Sequence, residues 1–191
     1  MLKSYRFNEN ELITELLNQG KIILYPTDTI WGLGCRADLA HSIEQIYLIK
    51  KRPAQKSVIL LVSDFNMLLD YVNYIPPKIE NLILLSDSPV TVIYPDTKNL
   101  IPEAKAENGS VAIRICKDEF CQELIRSIGC PLVSTSANVS GQDSPKHFGQ
   151  ISSEIITQVD HIVKHRRDDL SESLPSAIIK FNQDGDLTVL R

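Results

Sequence analysis

The chain has 191 residues, of which 43% are hydrophobic, and its formal net charge is −4. This length favours one domain, residues 1–191, over two small ones, and the hydrophobic content is sufficient for a core. The negative charge argues against bulk affinity for nucleic acid, and no apolar run approaches membrane-spanning length. The N-terminus lacks the uninterrupted apolar core of a signal peptide, so we expect a cytosolic protein with no membrane contact.

The cysteines give no sign of a zinc ribbon or a thioredoxin-like motif, because no two of them form a Cys-x-x-Cys pair. We expect them to be reduced and partly buried, as small apolar residues. They are Cys35, Cys116, Cys121 and Cys130.

The first part of the chain is predicted to contain two helices with a strand between them. The first helix spans residues 8–19, where apolar side chains recur at helical spacing and Gly20 ends the pattern. The second helix spans residues 38–51 and has a basic end. Lys50 lies on its last turn, whereas Arg52 precedes a proline, which favours an extended conformation. Both cations can then reach one anion; the alternative is a basic C-terminus that complements the helix dipole.

The strand between these helices ends in a polar segment. Residues 22–25 form an apolar run, and Pro26 stops it because proline cannot donate to a ladder. Three small polar side chains follow at residues 27–29, and then Gly32 and Gly34, which allow close backbone approach or positive φ. Such a strand end opens onto a ligand crevice in open α/β sheets. A plain turn is the alternative, because the same residues are ordinary turn formers.

The middle of the chain alternates predicted helices and strands, with a polar loop at residues 96–109. The strands are residues 57–63, 91–94 and 110–116, and the helices are residues 65–72, 76–85 and 118–128. Arg114 lies in an otherwise apolar strand, and a buried arginine needs a partner. That partner is either a local carboxylate, such as Asp118 or Glu119, or a phosphate or carboxylate ligand held by the planar guanidinium.

A short strand at residues 131–133 leads into a dense polar cluster. Residues 134–140 contain four hydroxyls and an amide. Such groups at a strand end suit a ribose, a phosphate or a metal-bound water. A capped turn is the alternative, since Ser, Asn and Gly also favour caps and turns.

The tail is richer in predicted strands. Residues 148–158 read as a weak helix, and residues 176–181 and 187–190 read as two strands of a hairpin. Alternating strands and helices with a strand-rich tail predict an α/β (mixed α+β) fold, in which a twisted mixed sheet carries helices on its faces.

Two polar features of the tail have no assigned role. His161 and His165 would share one face of a helix or a strand, but no third ligand is placed nearby, so no metal site is predicted. The basic run at residues 164–167 is either a solvated face or a contact for RNA phosphate.

Four motifs in this order, PTDTIWGLG, KKRP, SVAIR and STSANVSG, resemble the YrdC-like family of threonylcarbamoyl-AMP synthases. The likeness runs from about residue 22 to residue 141 and fades through the tail, and the length is similar to that of the short, single-domain bacterial members. It implies a twisted mixed sheet with a concave basic face associated with RNA binding. It also implies that the chain joins L-threonine, bicarbonate (or carbon dioxide) and ATP into threonylcarbamoyl-adenylate and diphosphate. Partner proteins then transfer the threonylcarbamoyl group to tRNA, onto the adenosine beside the anticodon.

The resemblance implies roles for individual residues. Lys50 and Arg52 match the pair that holds the ATP phosphates, and we expect them to be catalytic. The expected ATP ligands are Lys50, Arg52, Lys56, Ser136, Asn138 and Arg191. The expected threonine ligands are Thr29, Arg114, Ser134 and Ser176.

In the implied reaction, a carbamate of threonine attacks the α-phosphorus of ATP, and no enzyme nucleophile is needed. Catalysis then consists of positioning and charge stabilisation. Mg²⁺ would accompany ATP, held mostly by phosphate oxygens and water, with no tightly bound protein metal. The alternative is a non-catalytic module that binds double-stranded RNA or tRNA. Such a module would show salt-sensitive RNA affinity without ATP turnover.

Overall fold

The computed structural model describes residues 9–52, 58–182 and 186–191. The expected ATP ligand Lys56 lies outside the described residues, as does the turn of the predicted C-terminal hairpin. The α-helices are α1 (Glu9–Asn18), α2 (Ala40–Ile49), α3 (Phe65–Leu69), α4 (Pro77–Leu85), α5 (Glu119–Ile128) and α6 (Ser153–Ile156). The strands are β1 (Ile23–Tyr25), β2 (Gly32–Arg36), β3 (Ile59–Val62), β4 (Val90–Tyr94), β5 (Val111–Ile115), β6 (Leu132–Ser136), β7 (His161–Ile162), β8 (Ala177–Phe181) and β9 (Leu187–Val189).

These strands form one mixed sheet in the order β7-β1-β2-β6-β3-β5-β4-β8-β9. Three pairs are parallel, namely β1 with β7, β3 with β5 and β4 with β8, and the other pairs are antiparallel. The predicted mixed α/β sheet is therefore confirmed. Because β2 joins β1 to β6 and β3 joins β6 to β5, segments far apart in sequence meet at the centre of the sheet.

The two faces of the sheet support two separate apolar clusters. Ile23 and Tyr25 of β1 belong to the cluster under α1 and α5, whereas Leu24 belongs to the cluster that includes the buried side chains of α2. This alternation is what the period-two geometry of a strand requires. Burial on both faces explains why β1 is apolar at every position.

Strand β2 is the element that the sequence does not predict, because its glycines are typical of a turn. The structure pairs Gly32 with Tyr25 and Gly34 with Ile23. A Cβ atom at Gly34 would lie 2.6 Å from Cε1 of Tyr25. Neither glycine has a positive φ. Of the two roles expected for these glycines, close approach is therefore confirmed.

Strand β6 is longer than predicted and includes three of the hydroxyls that the sequence places in a following turn. Ser134 pairs with Gly34 on one side and Ile59 on the other, and β2 alone continues the pairing to Ser136. The predicted helix at residues 148–158 is wrong in extent. A 3-10 turn, Phe148–Gln150, comes before α6, and Ile151 is extended between them.

All four cysteines are buried, more completely than expected, and none of them forms a disulfide. None of the helices in the described part of the chain has the length and apolarity needed to cross a membrane.

Candidate active site

A cleft of about 250 Å³ opens where the exit of β1, the end of β6, β5 and the start of β8 meet. Hydroxyl groups and guanidinium groups dominate its polar lining, and among the described residues no Asp or Glu side chain lines it. The arginines are Arg52, Arg114 and Arg191, and the hydroxyls belong to Thr29, Ser134, Thr135, Ser136, Ser144 and Ser176. A cleft with this lining is suited to an anionic ligand rather than a cationic one.

The segment after β1 is held by a chain of hydroxyl hydrogen bonds. Thr27 Oγ1 accepts from the Thr29 amide at 3.0 Å and donates to the Ile30 carbonyl at 2.8 Å. The two threonine hydroxyls are 2.9 Å apart, and Thr29 must be the donor because the Thr27 proton is already used. Arg114 Nη2 donates to Thr29 Oγ1 at 3.2 Å. Thr29 therefore offers the cleft one remaining acceptor site, which suits an N–H group of a ligand.

Arg114 is buried beside a carboxylate from the first motif. Its side chain is 4% exposed, that of Asp28 is 6% exposed, and Nη2 lies 2.9 Å from Asp28 Oδ1. The other oxygen, Asp28 Oδ2, accepts from the Lys117 amide at 3.0 Å. The expectation of a local partner for Arg114, such as Asp118, is therefore wrong; the partner is 86 residues away in sequence. We call Asp28, Thr29 and Arg114 the Arg114 corner.

Lys50 ends α2 and points into the segment after β6. Its ammonium donates to the carbonyls of Ser136 and Asn138, the latter at 2.7 Å, and lies 3.4 Å from Asn138 Oδ1. The Lys50 carbonyl accepts from the Ser140 amide at 2.9 Å. Burial, together with the charge of Arg52, lowers the pKa of Lys50 to about 8. We call Lys50 and residues 136–140 the Lys50 turn.

The structure brings the expected ATP ligands of this region together but does not direct all of them into the cleft. Arg52 and Ser136 line the cleft, and Arg52 Nη1 lies 3.4 Å from Thr135 Oγ1. Lys50 and Asn138 contact each other behind it. The Asn138 amide donates to the carbonyls of Val139 and Gln142 and so holds the Lys50 turn closed.

The opposite end of the cleft is built by the tail. Ser176 Oγ lies 2.8 Å from the buried hydroxyl of Thr91. Arg191 Nε donates to the Ser176 carbonyl at 3.1 Å, and the Arg191 carbonyl accepts from the Ile178 amide at 3.1 Å. Arg191 is therefore anchored to β8 and lines the cleft. Burial, together with the charge of Arg114, lowers the pKa of Arg191. Both arginines line the same cleft.

The basic run at residues 164–167 is largely engaged within the protein. Arg166 donates to the Thr27 carbonyl at 3.0 Å and pairs with Asp169 at 3.1 Å. Arg167 donates to backbone carbonyls of residues 162 and 163 and lies over the ring of Phe148. The two histidines also have separate neighbours: His161 lies in β7 near Glu9, and His165 stacks on Phe120.

The family model Sua5/YciO/YrdC, described as "Telomere recombination", matches residues 15–191. The chain belongs to the Sua5/YciO/YrdC family. It is 33% identical over 150 residues to the threonylcarbamoyl-AMP synthase of Pseudoalteromonas translucida, a match that covers 77% of this chain and 80% of the relative. It is 28% identical over 177 residues to the protein of the same name from Vibrio vulnificus, with 88% and 95% covered.

Solved structures of this family share the fold. P. abyssi Sua5 complexed with L-threonine has a TM-score of 0.84 at 23% identity and covers 96% of this chain. E. coli YciO has a TM-score of 0.82 at 22% identity, covering 96% of this chain and 88% of its own. This chain spans about half of the P. abyssi Sua5 chain, 53%. The resemblance drawn from the four motifs is thus confirmed, and the family match continues through the tail.

Sequence reasoning misses Asp28 as a member of the site. The residue is visible in the family's first motif, between two threonines, but its role depends on a contact with Arg114 that crosses the sheet. Two sequence features could have suggested the contact, namely a buried arginine in β5 and an acidic residue just after β1. The register of β2, β6 and β3 was needed to place them side by side.

Proposed function

We propose that this chain, acting as a single domain, is a threonylcarbamoyl-AMP synthase that condenses L-threonine, carbon dioxide (supplied as bicarbonate) and ATP. The observation that carries the proposal is the cleft lined by three arginines and six hydroxyls, with no Asp or Glu side chain among the described lining residues. Curated relatives that match most of this chain bear that name.

The cationic lining favours the first step, which forms a carbamate. The positive charges of Arg52 and Arg191 in the cleft lining disfavour an ammonium group, so threonine bound here would hold its amine in the neutral, nucleophilic form. The amine nitrogen bonds to the carbon of carbon dioxide and loses one proton, which leaves a carbamate anion. That proton goes to the hydroxide released when bicarbonate yields carbon dioxide, so water is the other product. Thr29 can accept a hydrogen bond from that nitrogen. The product then carries two negative charges, its carboxylate and its carbamate, which suit the arginines.

The second step transfers the adenylyl group. A carbamate oxygen bonds to the α-phosphorus of ATP, the bond from that phosphorus to the bridging oxygen breaks, and diphosphate leaves. No side chain has to act as a nucleophile, so the protein contributes orientation and charge stabilisation. We assign Arg52, the Lys50 turn and Arg191 to the nucleotide. We assign Thr29, Arg114, Ser134 and Ser176 to threonine. Lys56 stays an expected ATP ligand outside the described residues.

Mg²⁺ fits this site as a companion of ATP. Among the described residues there is no group of three His, Cys, Asp or Glu side chains that could hold a metal ion. The hydroxyl donors of the cleft suit a hydrated ion whose main ligands are phosphate oxygens. The ion would neutralise charge on the diphosphate as it leaves.

The product is proposed to serve the modification of tRNA beside the anticodon, through partner proteins that transfer the threonylcarbamoyl group. The tail does not support the alternative of a pure RNA-binding module, because Arg166 and Arg167 donate hydrogen bonds to backbone carbonyls there.

The test is diphosphate release from ATP with each substrate omitted in turn. We expect release that requires threonine, bicarbonate and ATP together, with threonylcarbamoyl-adenylate detected by mass spectrometry. ATP hydrolysis independent of threonine, or RNA binding without any diphosphate release, would contradict the proposal. Serine and valine in place of threonine serve as matched controls for the amino acid.

A further inference from the structure

The feature that the proposed reaction does not use is the buried carboxylate of Asp28. Asp28 lines no part of the cleft, yet both of its oxygens are engaged at its edge, one by Arg114 and the other by the Lys117 amide. Burying a carboxylate is costly unless a cation pairs with it, and Arg114 is the cation that pairs with Asp28.

Asp28 fixes one end of the Arg114 guanidinium. Nη2 makes both hydrogen bonds, to Asp28 Oδ1 and to Thr29 Oγ1. Nε is buried and has no hydrogen-bond partner among the described residues. A guanidinium held at one nitrogen in this way cannot rotate, so its remaining N–H groups keep one direction relative to the cleft. Because both hydrogens of Nη2 are used, Nη1 is the nitrogen that remains to donate to a carboxylate oxygen of a ligand.

Asp28 also cancels the charge of Arg114. Without that carboxylate, Arg114 and Arg191 would be two uncompensated positive charges in one cleft, and such a pair attracts a polyphosphate more strongly than a monoanion. With it, the Arg114 corner is a neutral pair that still offers hydrogen-bond donors. A neutral pair binds a monoanion such as an amino-acid carboxylate but gains less from the several charges of a diphosphate.

We propose that Asp28 is a positioning and specificity residue, which orients Arg114 toward the carboxylate of threonine and keeps phosphate groups out of the Arg114 corner. The inference rests on the proposed function, because it names how the same cleft separates its two anionic substrates.

The experiment measures threonine binding at equilibrium through the fluorescence of Trp31, which is the single tryptophan of the chain and lies in the cleft lining. The variants are Asp28→Asn, which keeps the size but loses the charge, and Asp28→Glu, which keeps the charge. The matched control is Asp38→Asn, since Asp38 holds Arg36 through two hydrogen bonds of 2.9 and 2.6 Å outside the cleft lining. Each protein is titrated with threonine in the absence and presence of diphosphate, and its thermal unfolding is recorded.

We expect the Kd for threonine to rise about tenfold to a hundredfold in Asp28→Asn, since small misplacements of an orienting group have effects of this size. Diphosphate should weaken threonine binding in Asp28→Asn but not in the wild type. Asp28→Glu should keep the wild-type insensitivity to diphosphate, and Asp38→Asn should keep wild-type values throughout.

An unchanged Kd and an unchanged response to diphosphate in Asp28→Asn would overturn the inference and leave the proposed function standing. So would equal losses of threonine and ATP binding in Asp28→Asn and Asp28→Glu with a matching fall in the thermal midpoint, because that is a structural role. Wild-type protein without threonine binding or turnover would overturn the proposed function and this inference together.

Discussion

The Arg114 corner at the cleft and the Lys50 turn behind it both bury a cation, but they compensate its charge differently. The Arg114 guanidinium faces a full negative charge on Asp28. The Lys50 ammonium faces neutral carbonyl oxygens of Ser136 and Asn138. Carbonyl dipoles satisfy hydrogen bonds without cancelling a net charge, so the Lys50 turn stays positive while the Arg114 corner is neutral overall. Under the proposed function, this difference would favour the polyphosphate near the Lys50 turn and the carboxylate of threonine at the Arg114 corner.

The largest expected effect is at Arg52, which lines the cleft, whereas Lys50 lies behind it. Arg52→Ala should lower kcat/KM for ATP by about 10²–10³, because a charge contact to the transition state is lost. The thermal midpoint should change little, since the side chain lines the cleft. Diphosphate release and thermal unfolding measure the two quantities. Near-normal release would remove Arg52 from the site.

Lys50→Met should reduce turnover as strongly but should also destabilise the fold. The variant leaves the carbonyls of Ser136 and Asn138 without their buried donor, and each unsatisfied group costs roughly 1–3 kcal/mol. A thermal midpoint that falls in Lys50→Met but not in Arg52→Ala would support the structural role of the ammonium. A variant as stable as the wild type would show that the Lys50 turn does not depend on it.

A smaller effect is expected at the Arg114 corner. Thr29→Val is close to isosteric but removes the acceptor that Arg114 Nη2 and the ligand share. We expect KM for threonine to rise about tenfold, which corresponds to roughly 1.4 kcal/mol for one hydrogen bond. KM for ATP should stay within error. A rise confined to KM for ATP would mean that Thr29 lies at the nucleotide instead.

The pH dependence of stability and of turnover should reflect the loss of the proton from Lys50. The pKa of Lys50 is about 8 in the folded protein, against 10.5 for the ordinary group. Above pH 8 the folded protein loses this proton while the unfolded chain keeps it, so between pH 8 and 10.5 this group makes stability rise with pH. Turnover should fall over the same window because the turn loses its charge. Thermal unfolding and diphosphate release between pH 7 and 10, with Lys50→Met as the control that lacks the transition, check both signs.

The smallest effect is expected at the end of the tail. Arg191→Ala should raise KM for ATP by about threefold to tenfold, on the order of 1 kcal/mol, since the guanidinium is partly open to solvent. The thermal midpoint should not change, because the Leu190 amide still donates to the Ile178 carbonyl. Unchanged ATP kinetics would show that Arg191 lines the cleft without touching the nucleotide.

The sequence predicts the elements that have strong local signals, and it fails where a pairing decides the outcome. Helix α5 follows from its apolar spacing and its Gly129 stop, which has a φ of 67°. Strand β2 cannot be predicted in this way, because glycine is rare inside strands. At Gly34 it is required by the close approach of the Tyr25 ring. The cluster of site residues likewise follows from motif order, whereas the Asp28–Arg114 contact depends on four strands taking their places in the sheet.

The contact between Tyr25 and Gly34 constrains how this protein can change over evolutionary time. A single Gly34→Ala replacement places a methyl group against the tyrosine ring at 2.6 Å, and overpacking of this kind costs typically ~1–3 kcal/mol. A shift of the ring would disturb its packing, because Tyr25 is fully buried and its hydroxyl lies 3.5 Å from the Val133 carbonyl. A lineage that gains a side chain at position 34 must therefore first accept a smaller one at position 25. The two positions are expected to drift as a pair, in that order.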